Sequence, residues 1–238
     1  DLTVSYQNKP VLWAIDFSIP KGSLAGIIGP NGAGKSTLIK AVMGLVDTAS
    51  GYARVFGNDL EKERLNVSYV PQRESVDWDF PASVLDVVIM GRYGKLGLFK
   101  RPKKADKEAA LECLRDVGMQ DYANRQIAQL SGGQQQRVFI ARALCQESDI
   151  YFLDEPFVGV DMTTEAKIIQ ILKRLAQEGK TLLVVHHDLA TVKKYFDKVI
   201  LLNQRMIAYG DTETVFNEEN IARAYGGQLP ILHKMGNI

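Results

Sequence analysis

Gly29-Pro-Asn-Gly-Ala-Gly34-Lys35-Ser36 is the stretch that most narrows what this chain can fold into. A nearly continuous apolar run, Ser23 to Ile28, precedes it, and Lys35 to Leu45 follows with helical periodicity. Such a run is the pattern of a strand covered on both faces. Strand, glycine-rich turn and helix in that order match G-x-x-x-x-G-K-[ST], a motif that wraps a triphosphate in backbone N–H groups. Glycines let the main chain come close and take positive φ, and the new helix aims its open N–H groups and positive dipole end at the phosphates. Gly29, Pro30, Asn31, Gly32, Ala33 and Gly34 are therefore expected to cradle the phosphates. Lys35 is expected to reach the β- and γ-phosphates, Ser36 to hold Mg²⁺ by its hydroxyl, and Thr37 to complete the set. A glycine turn that binds nothing would leave the preceding strand, the Lys and the Ser unexplained.

A second phosphate motif is expected at Ile150-Tyr-Phe-Leu-Asp154-Glu155, an apolar strand ending in two acids. In a doubly wound sheet ligands sit beyond the carboxyl ends of the strands, which puts Asp154 beside the phosphate loop. Successive strand residues point opposite ways, so the two acids can have separate jobs. Asp154 suits Mg²⁺, and Glu155 suits the group that orients or deprotonates an attacking water. Thr181 to Val185 is another buried strand, with His186-His187-Asp188 at its end. His187 is placed to hydrogen-bond a γ-phosphate; in the alternative reading Asp188 caps a helix and His187 is a bystander.

The first third otherwise reads as short strands at Leu2–Tyr6, Trp13–Ile19, Gly51–Phe56 and Val67–Val70. Between about 74 and 147 the period becomes 3.6, with helices expected at Ser83–Gly91, Lys104–Val117 and Gly133–Gln146; Ser83 and Asp86 form a capping signal. Strand Ile150–Leu153, helix Thr163–Gln177, strand Thr181–Val185, a short helix from Asp188 and strand Lys198–Leu202 then alternate, which argues for a parallel sheet flanked by helices. The last stretch reads as short helices and loop. The boundaries expected are a catalytic core over 1–73 and 148–210, a helical subdomain over 74–147 and a short extension over 211–238.

Composition removes several alternatives. The net charge of +1 leaves no field to draw nucleic acid, and the densest basic run, Lys100-Arg101 with Lys103-Lys104, is split by Pro102. Cys113 and Cys145 read as reduced, partly buried thiols, and no His, Cys and carboxylate cluster has ligand spacing, so Mg²⁺ with the bound nucleotide is the only metal expected. No run of ~18 apolar residues is long enough for a membrane span. There is no signal peptide, and a cytoplasmic location is expected. The chain starts at Asp1 without Met and inside a strand-like run, so a few residues are expected to precede it.

Leu130-Ser131-Gly132-Gly133-Gln134 precedes the third helix of that lobe. Together with the loop at Gly29 and the strand at Ile150, it resembles the signature of ABC-type ATPases, and the likeness runs along nearly the whole chain. It implies an α/β fold: a P-loop NTPase core with a mostly parallel sheet, an N-terminal antiparallel β subdomain and an inserted helical signature subdomain. It also implies that Tyr6 stacks on adenine, that Gln72 acts at Mg²⁺ or the water, and that Asp161, in Gly159-Val160-Asp161, joins the nucleotide site. Tyr6 can equally be read as a strand aromatic on the core. Ser131, Gly132, Gly133 and Gln134 start a helix and so form a second anion site. In the family this closes on the γ-phosphate held by another copy, so each ATP bridges two chains in a homodimer.

Val70 to Arg92, with Trp78 and Phe80 in Arg73-Glu-Ser-Val-Asp-Trp-Asp-Phe-Pro, resembles the ATP subunits of bacterial importers for manganese, zinc or iron(II). That likeness implies membrane permease subunits as partners, an extracytoplasmic solute-binding protein acting indirectly, and a seat on the cytoplasmic face of the membrane. The two aromatics can anchor a permease helix or fold back into the lobe. A soluble DNA-associated ATPase of the SMC type would need long coiled-coil arms between Lys35 and Ser131, and no sustained heptads occur there. A small-molecule kinase has no use for Leu130–Gln134.

Overall fold

A computed structural model describes residues 1–6, 9–97 and 100–226. The chain forms two compact units, one from residues 1–63 and 183–238, the other from residues 64–182.

The first unit opens with β1 (Leu2–Tyr6) and β2 (Lys9–Ile15), paired antiparallel with Leu2 opposite Ile15 and Val4 opposite Leu12. All four of those residues are buried, so this pair has one dry face. The second strand therefore begins earlier than its apolar pattern suggests and stops at Ile15, where its partner ends. β3 (Leu24–Ile28) is buried at every position and leads through the glycine loop into α1 (Lys35–Val42). That helix stops short of Leu45 because Gly44 takes φ 64° and donates its N–H back to Ala41. No strand forms over Gly51–Phe56, which corrects the sequence reading. Val55 and Asn58 exchange backbone hydrogen bonds across Phe56 and Gly57, both at positive φ, so the stretch closes a tight turn in place of an extended ladder.

In the second unit β4 (Val67–Val70) pairs parallel with β5 (Ile150–Asp154), Val70 opposite Leu153. Between them in sequence lie α2 (Val84–Ile89), α3 (Lys104–Asp116) and α4 (Gly132–Gln146), and α5 (Met162–Gln177) follows β5. The first three helices share a core of Val84, Val88, Ala110, Leu114, Val138 and Ile140, each no more than 1% exposed. The expected cap is present: Ser83 Oγ accepts from Asp86 N–H (3.1 Å) and Asp86 accepts from Ser83 N–H (3.2 Å). α4 is stitched to β4 by Gln146 Nε2 donating to the Val67 carbonyl (2.8 Å) and Ser68 Oγ donating to that of Ala143 (3.2 Å). Cys113 and Cys145 are free thiols, the first half-buried and the second buried. No helix among the described residues is long and apolar enough to cross a membrane.

The chain re-enters the first unit along β6 (Thr181–His186) and continues through a short helix, α6 (Val192–Tyr195), into β7 (Lys198–Asn203) and β8 (Arg205–Asp211). β7 runs parallel to β3 and antiparallel to β8. β8 has no counterpart in the sequence reading. Its middle residues are all half-buried, so it lacks the in–out alternation that marks a strand. The described chain ends in α7 (Glu218–Tyr225).

Candidate functional site

The phosphate loop lies wholly in the first unit. A Cβ on Gly29 would come 2.0 Å from the Leu202 carbonyl oxygen, and one on Gly34 would come 2.5 Å from Leu12 Cδ2. Gly34 also takes φ 93° as the residue before α1, so close packing and backbone conformation both demand glycine there. Gln204 N–H donates to the Ala33 carbonyl (2.9 Å) and its own carbonyl accepts from Trp13 N–H (2.8 Å), which straps the loop from outside. Pro30 is half-buried, Asn31 and Gly32 are exposed at the tip, and Ser36 and Thr37 are half-buried in the first turn of α1. Lys35 is buried, with Nζ donating to the carbonyls of Gly29 (2.8 Å) and Pro30 (2.9 Å). Its charge is thus stored inside the loop's own ring of carbonyls. No acid of α1's own first turn offsets the positive end of its dipole.

His187 stands exposed just past β6, while His186 is buried, with Nε2 2.7 Å from Thr191 Oγ1. Asp188 does not cap α6. It accepts from Ala190 N–H (3.0 Å) and from the Thr191 hydroxyl, shaping the turn that presents His187. Burial, with His187 adding its charge, pushes the His186 ring from 6.5 down to about 4. The unfolded chain therefore binds a proton here between those values that the folded chain refuses. Stability is expected to be unaffected by His186 above pH 6.5 and to fall as pH drops toward 4, by on the order of 3 kcal/mol. Denaturation midpoints of the unmodified chain and His186→Gln should diverge in that window; parallel curves would contradict the assignment. Tyr6, at the end of β1, is 47% exposed, so it is not a core aromatic.

The second unit holds the carboxylates and the glycine-led tip of α4. Asp154 ends β5 with no exposed surface, and its charge together with burial raises the Tyr69 phenol to about 12, burial being the larger cause. Glu155 follows at φ 52°, a left-handed conformation that costs a non-glycine residue roughly 1–2 kcal/mol. That strain turns the carboxylate out of the strand and toward Gln72, whose Nε2 donates to Glu155 Oε2 at 3.4 Å. At α4, Ser131 Oγ accepts from Gln134 N–H (3.4 Å) while Gln134 Oε1 accepts from Ser131 N–H (2.9 Å), a reciprocal box that fixes the tip. Gly132 leaves room for the Arg73 side chain, and Gly133 for the Gly159 carbonyl, which a Cβ would approach to 2.2 Å. Asp161 caps α5: one oxygen accepts from Thr164 N–H (2.9 Å) and the other from its hydroxyl (2.7 Å), bonds that hold the carboxyl below its usual range.

Trp78 folds back. Its indole N–H donates to the Arg73 carbonyl (2.9 Å) and its ring packs edge-on against Phe139 at 4.8 Å, whereas Phe80 is 52% exposed. Trp78 thus folds into the lobe as the second reading has it, and Phe80 does not. The contacts of Arg73 and Gln135, and the Gln204 strap, carry no motif that would have marked them in sequence.

Residues 12–158, a span holding the phosphate loop, the Ser131 tip and the Asp154–Glu155 pair, match the ABC transporter family (ABC_tran). This chain belongs to the ABC transporter family. Among its relatives in that family, the manganese transport system ATP-binding protein MntB of Bacillus subtilis (strain 168) is 61% identical, over 98% of this chain and 93% of that protein. The zinc transport system ATP-binding protein TroB of Treponema pallidum (strain Nichols) is 60% identical, over 96% of this chain and 86% of that protein. MJ0796, a bacterial ABC transporter cassette solved as a dimer, is 29% identical and superposes with a TM-score of 0.75, over 88% of this chain and 94% of that one. The α/β architecture with an antiparallel N-terminal pair is that of an ABC transporter cassette.

Proposed function

We propose that this chain hydrolyses ATP to power import of a transition-metal ion across a membrane, as two copies that close on two ATP molecules. The observation that carries the reading is near-full-length identity of 61% and 60% to two transport-system ATP-binding proteins. Those relatives name different metals at nearly equal identity, manganese in one and zinc in the other. Among the described residues no three His, Cys, Asp or Glu are grouped to hold a metal ion. In this reading the choice of ion, manganese, zinc or iron(II), belongs to a membrane permease and an extracytoplasmic solute-binding protein. The permease holds this chain on the cytoplasmic face.

Binding starts at the phosphate loop, where Lys35 exchanges the Gly29 and Pro30 carbonyls for phosphate oxygens and Tyr6 stacks on the adenine. Ser36 hydroxyl, Gln72 amide and Asp154 carboxylate offer hard oxygens, the donor type Mg²⁺ takes, and a carboxylate as buried as Asp154 suits a cation. When bound, Mg²⁺ would neutralise charge on the β- and γ-oxygens. Glu155 accepts the proton of the attacking water, Gln72 helps to place that water, and His187 holds a γ-phosphate oxygen. The products are ADP and phosphate. Ser131 to Gln134 of the second copy close on the γ-phosphate, and Asp161, as the α5 cap, fixes Gly159 against Gly133. Loss of the γ-phosphate removes the bridge and opens the pair.

Lys35→Ala is expected to weaken ATP binding by about 10- to 100-fold, the range for losing a charge-assisted hydrogen bond. Titration with a fluorescent ATP analogue measures it, and unchanged affinity would remove the phosphate-loop reading. The transport reading itself is tested by radiolabelled manganese and zinc uptake in cells with the gene deleted and then restored. Restoration should recover uptake of one of these ions, and Glu155→Gln should not; recovery of neither ion's uptake would count against metal import.

A further inference from the structure

Arg73 has no role in the reading above, yet it lies between two of its parts. It follows Gln72, whose amide reaches Glu155 Oε2. Its Nε and Nη2 both donate to Gln135 Oε1, at 3.3 and 3.1 Å. Gln135 is buried in α4 and held from its other side by the Ile127 carbonyl, which accepts from Nε2 at 3.2 Å. The guanidinium also lies across Gly132, where an added Cβ would meet Arg73 Nε at 2.7 Å. Its charged carbon is 6.0 Å from the centre of the Trp78 ring, and that ring rests on Phe139 of α4.

Only a planar fork fits these demands together. Two N–H groups converge on one amide oxygen while the flat face covers a glycine and borders an indole; an ammonium could satisfy one contact and abandon the rest. The capping box holds the α4 tip within its own helix, and the Gln72–Glu155 bond is long. Arg73, next to Gln72 along the backbone, sends its side chain to the tip.

We propose that Arg73 is a positioning residue for hydrolysis, joining the Gln72–Glu155 pair and the Ser131–Gln134 tip into one rigid piece. The inference rests on the reading that Glu155 and Ser131 act on ATP. Arg73 touches no phosphate in this account, so its removal loosens the alignment needed in the transition state and leaves ground-state binding by the phosphate loop alone.

The experiment is steady-state ATP turnover by the full chain carrying Arg73→Ala, Arg73→Lys, Gln135→Met, or Arg73→Ala with Gln135→Met. Arg73→Ala is expected to lower kcat about tenfold, the usual worth of a hydrogen-bonded charged donor, with KM within about twofold. Arg73→Lys should recover less than half of the loss. Gln135→Met should match Arg73→Ala, and the double variant should be no worse than either, because both remove one coupling. Turnover of Arg73→Ala within about twofold of the unmodified chain, a rise in KM that accounts for the whole effect, full rescue by Lys, or losses that multiply in the double variant would each overturn the proposal. Should Arg73→Ala fail to fold, Arg73→Lys and Gln135→Met carry the test. Glu155→Gln in the same assay separates the layers: if it still turns over, the parent reading fails, and if it is inactive while Arg73→Ala is not, only this inference does.

Discussion

Glu155→Gln is expected to lower ATP turnover by about a thousandfold, in the range for a lost general base, while ATP binding persists. The substitution keeps the shape, the contact with Gln72 and the left-handed backbone at φ 52°. It removes only the capacity to take a proton. With binding intact and the γ-phosphate uncleaved, the bridge between copies cannot dissolve, so the variant should elute as a dimer in Mg-ATP and as a monomer without nucleotide. Turnover within tenfold of the unmodified chain, or a monomer in Mg-ATP, would contradict the role given to this carboxylate. The strained backbone sharpens the point. Glycine would relax at φ 52°, so the chain keeps Glu there at a cost of about 1–2 kcal/mol.

Ser131→Arg is expected to cost about 100- to 1000-fold in turnover, the scale for losing a donor aimed at transition-state charge, with single-chain nucleotide affinity unchanged. Loss of the cap accounts for only about 1 kcal/mol of folding stability, too little to unfold the chain. The bulky side chain sits on the exposed tip of α4, so it obstructs what docks there and leaves the interior of the helical core alone. Equilibrium binding to the isolated chain, set beside turnover, is the measurement. If affinity falls with turnover, the tip belongs to the same copy's nucleotide and the two-copy account is wrong.

Much of this architecture was legible because strong local signals agree with the tertiary contacts. α3 and α4 match the expected helices to within a residue, the first through an unbroken apolar period and the second through the Ser131 box. β3 and β5 carry continuous apolar runs because both faces are covered. β8 is not legible because half-burial at every middle position leaves no period to read. Gly51–Phe56 reads as a strand where the chain instead turns between Val55 and Asn58, because Phe56 takes a positive φ that its residue type does not advertise. At the site, residue identity announced the phosphate loop, the two acids and the α4 tip. It could not announce that Asp161 spends both oxygens on Thr164, that Asp188 builds a turn, or that Trp78 turns inward while Phe80 stays outside. Those outcomes depend on which tertiary partners surround each side chain, and the linear sequence does not name them.

In the proposed pair, ATP is held between the phosphate loop of one copy and the α4 tip of another. Ser36→Cys with Ser131→Cys, in a chain also carrying Glu155→Gln, Cys113→Ser and Cys145→Ala, puts it to the most direct test. Treated with a short bis-maleimide in Mg-ATP, this protein should run as a covalent dimer in denaturing gels, and as a monomer when nucleotide is left out. Crosslinks that form only within single chains, with Mg-ATP present, would contradict the account.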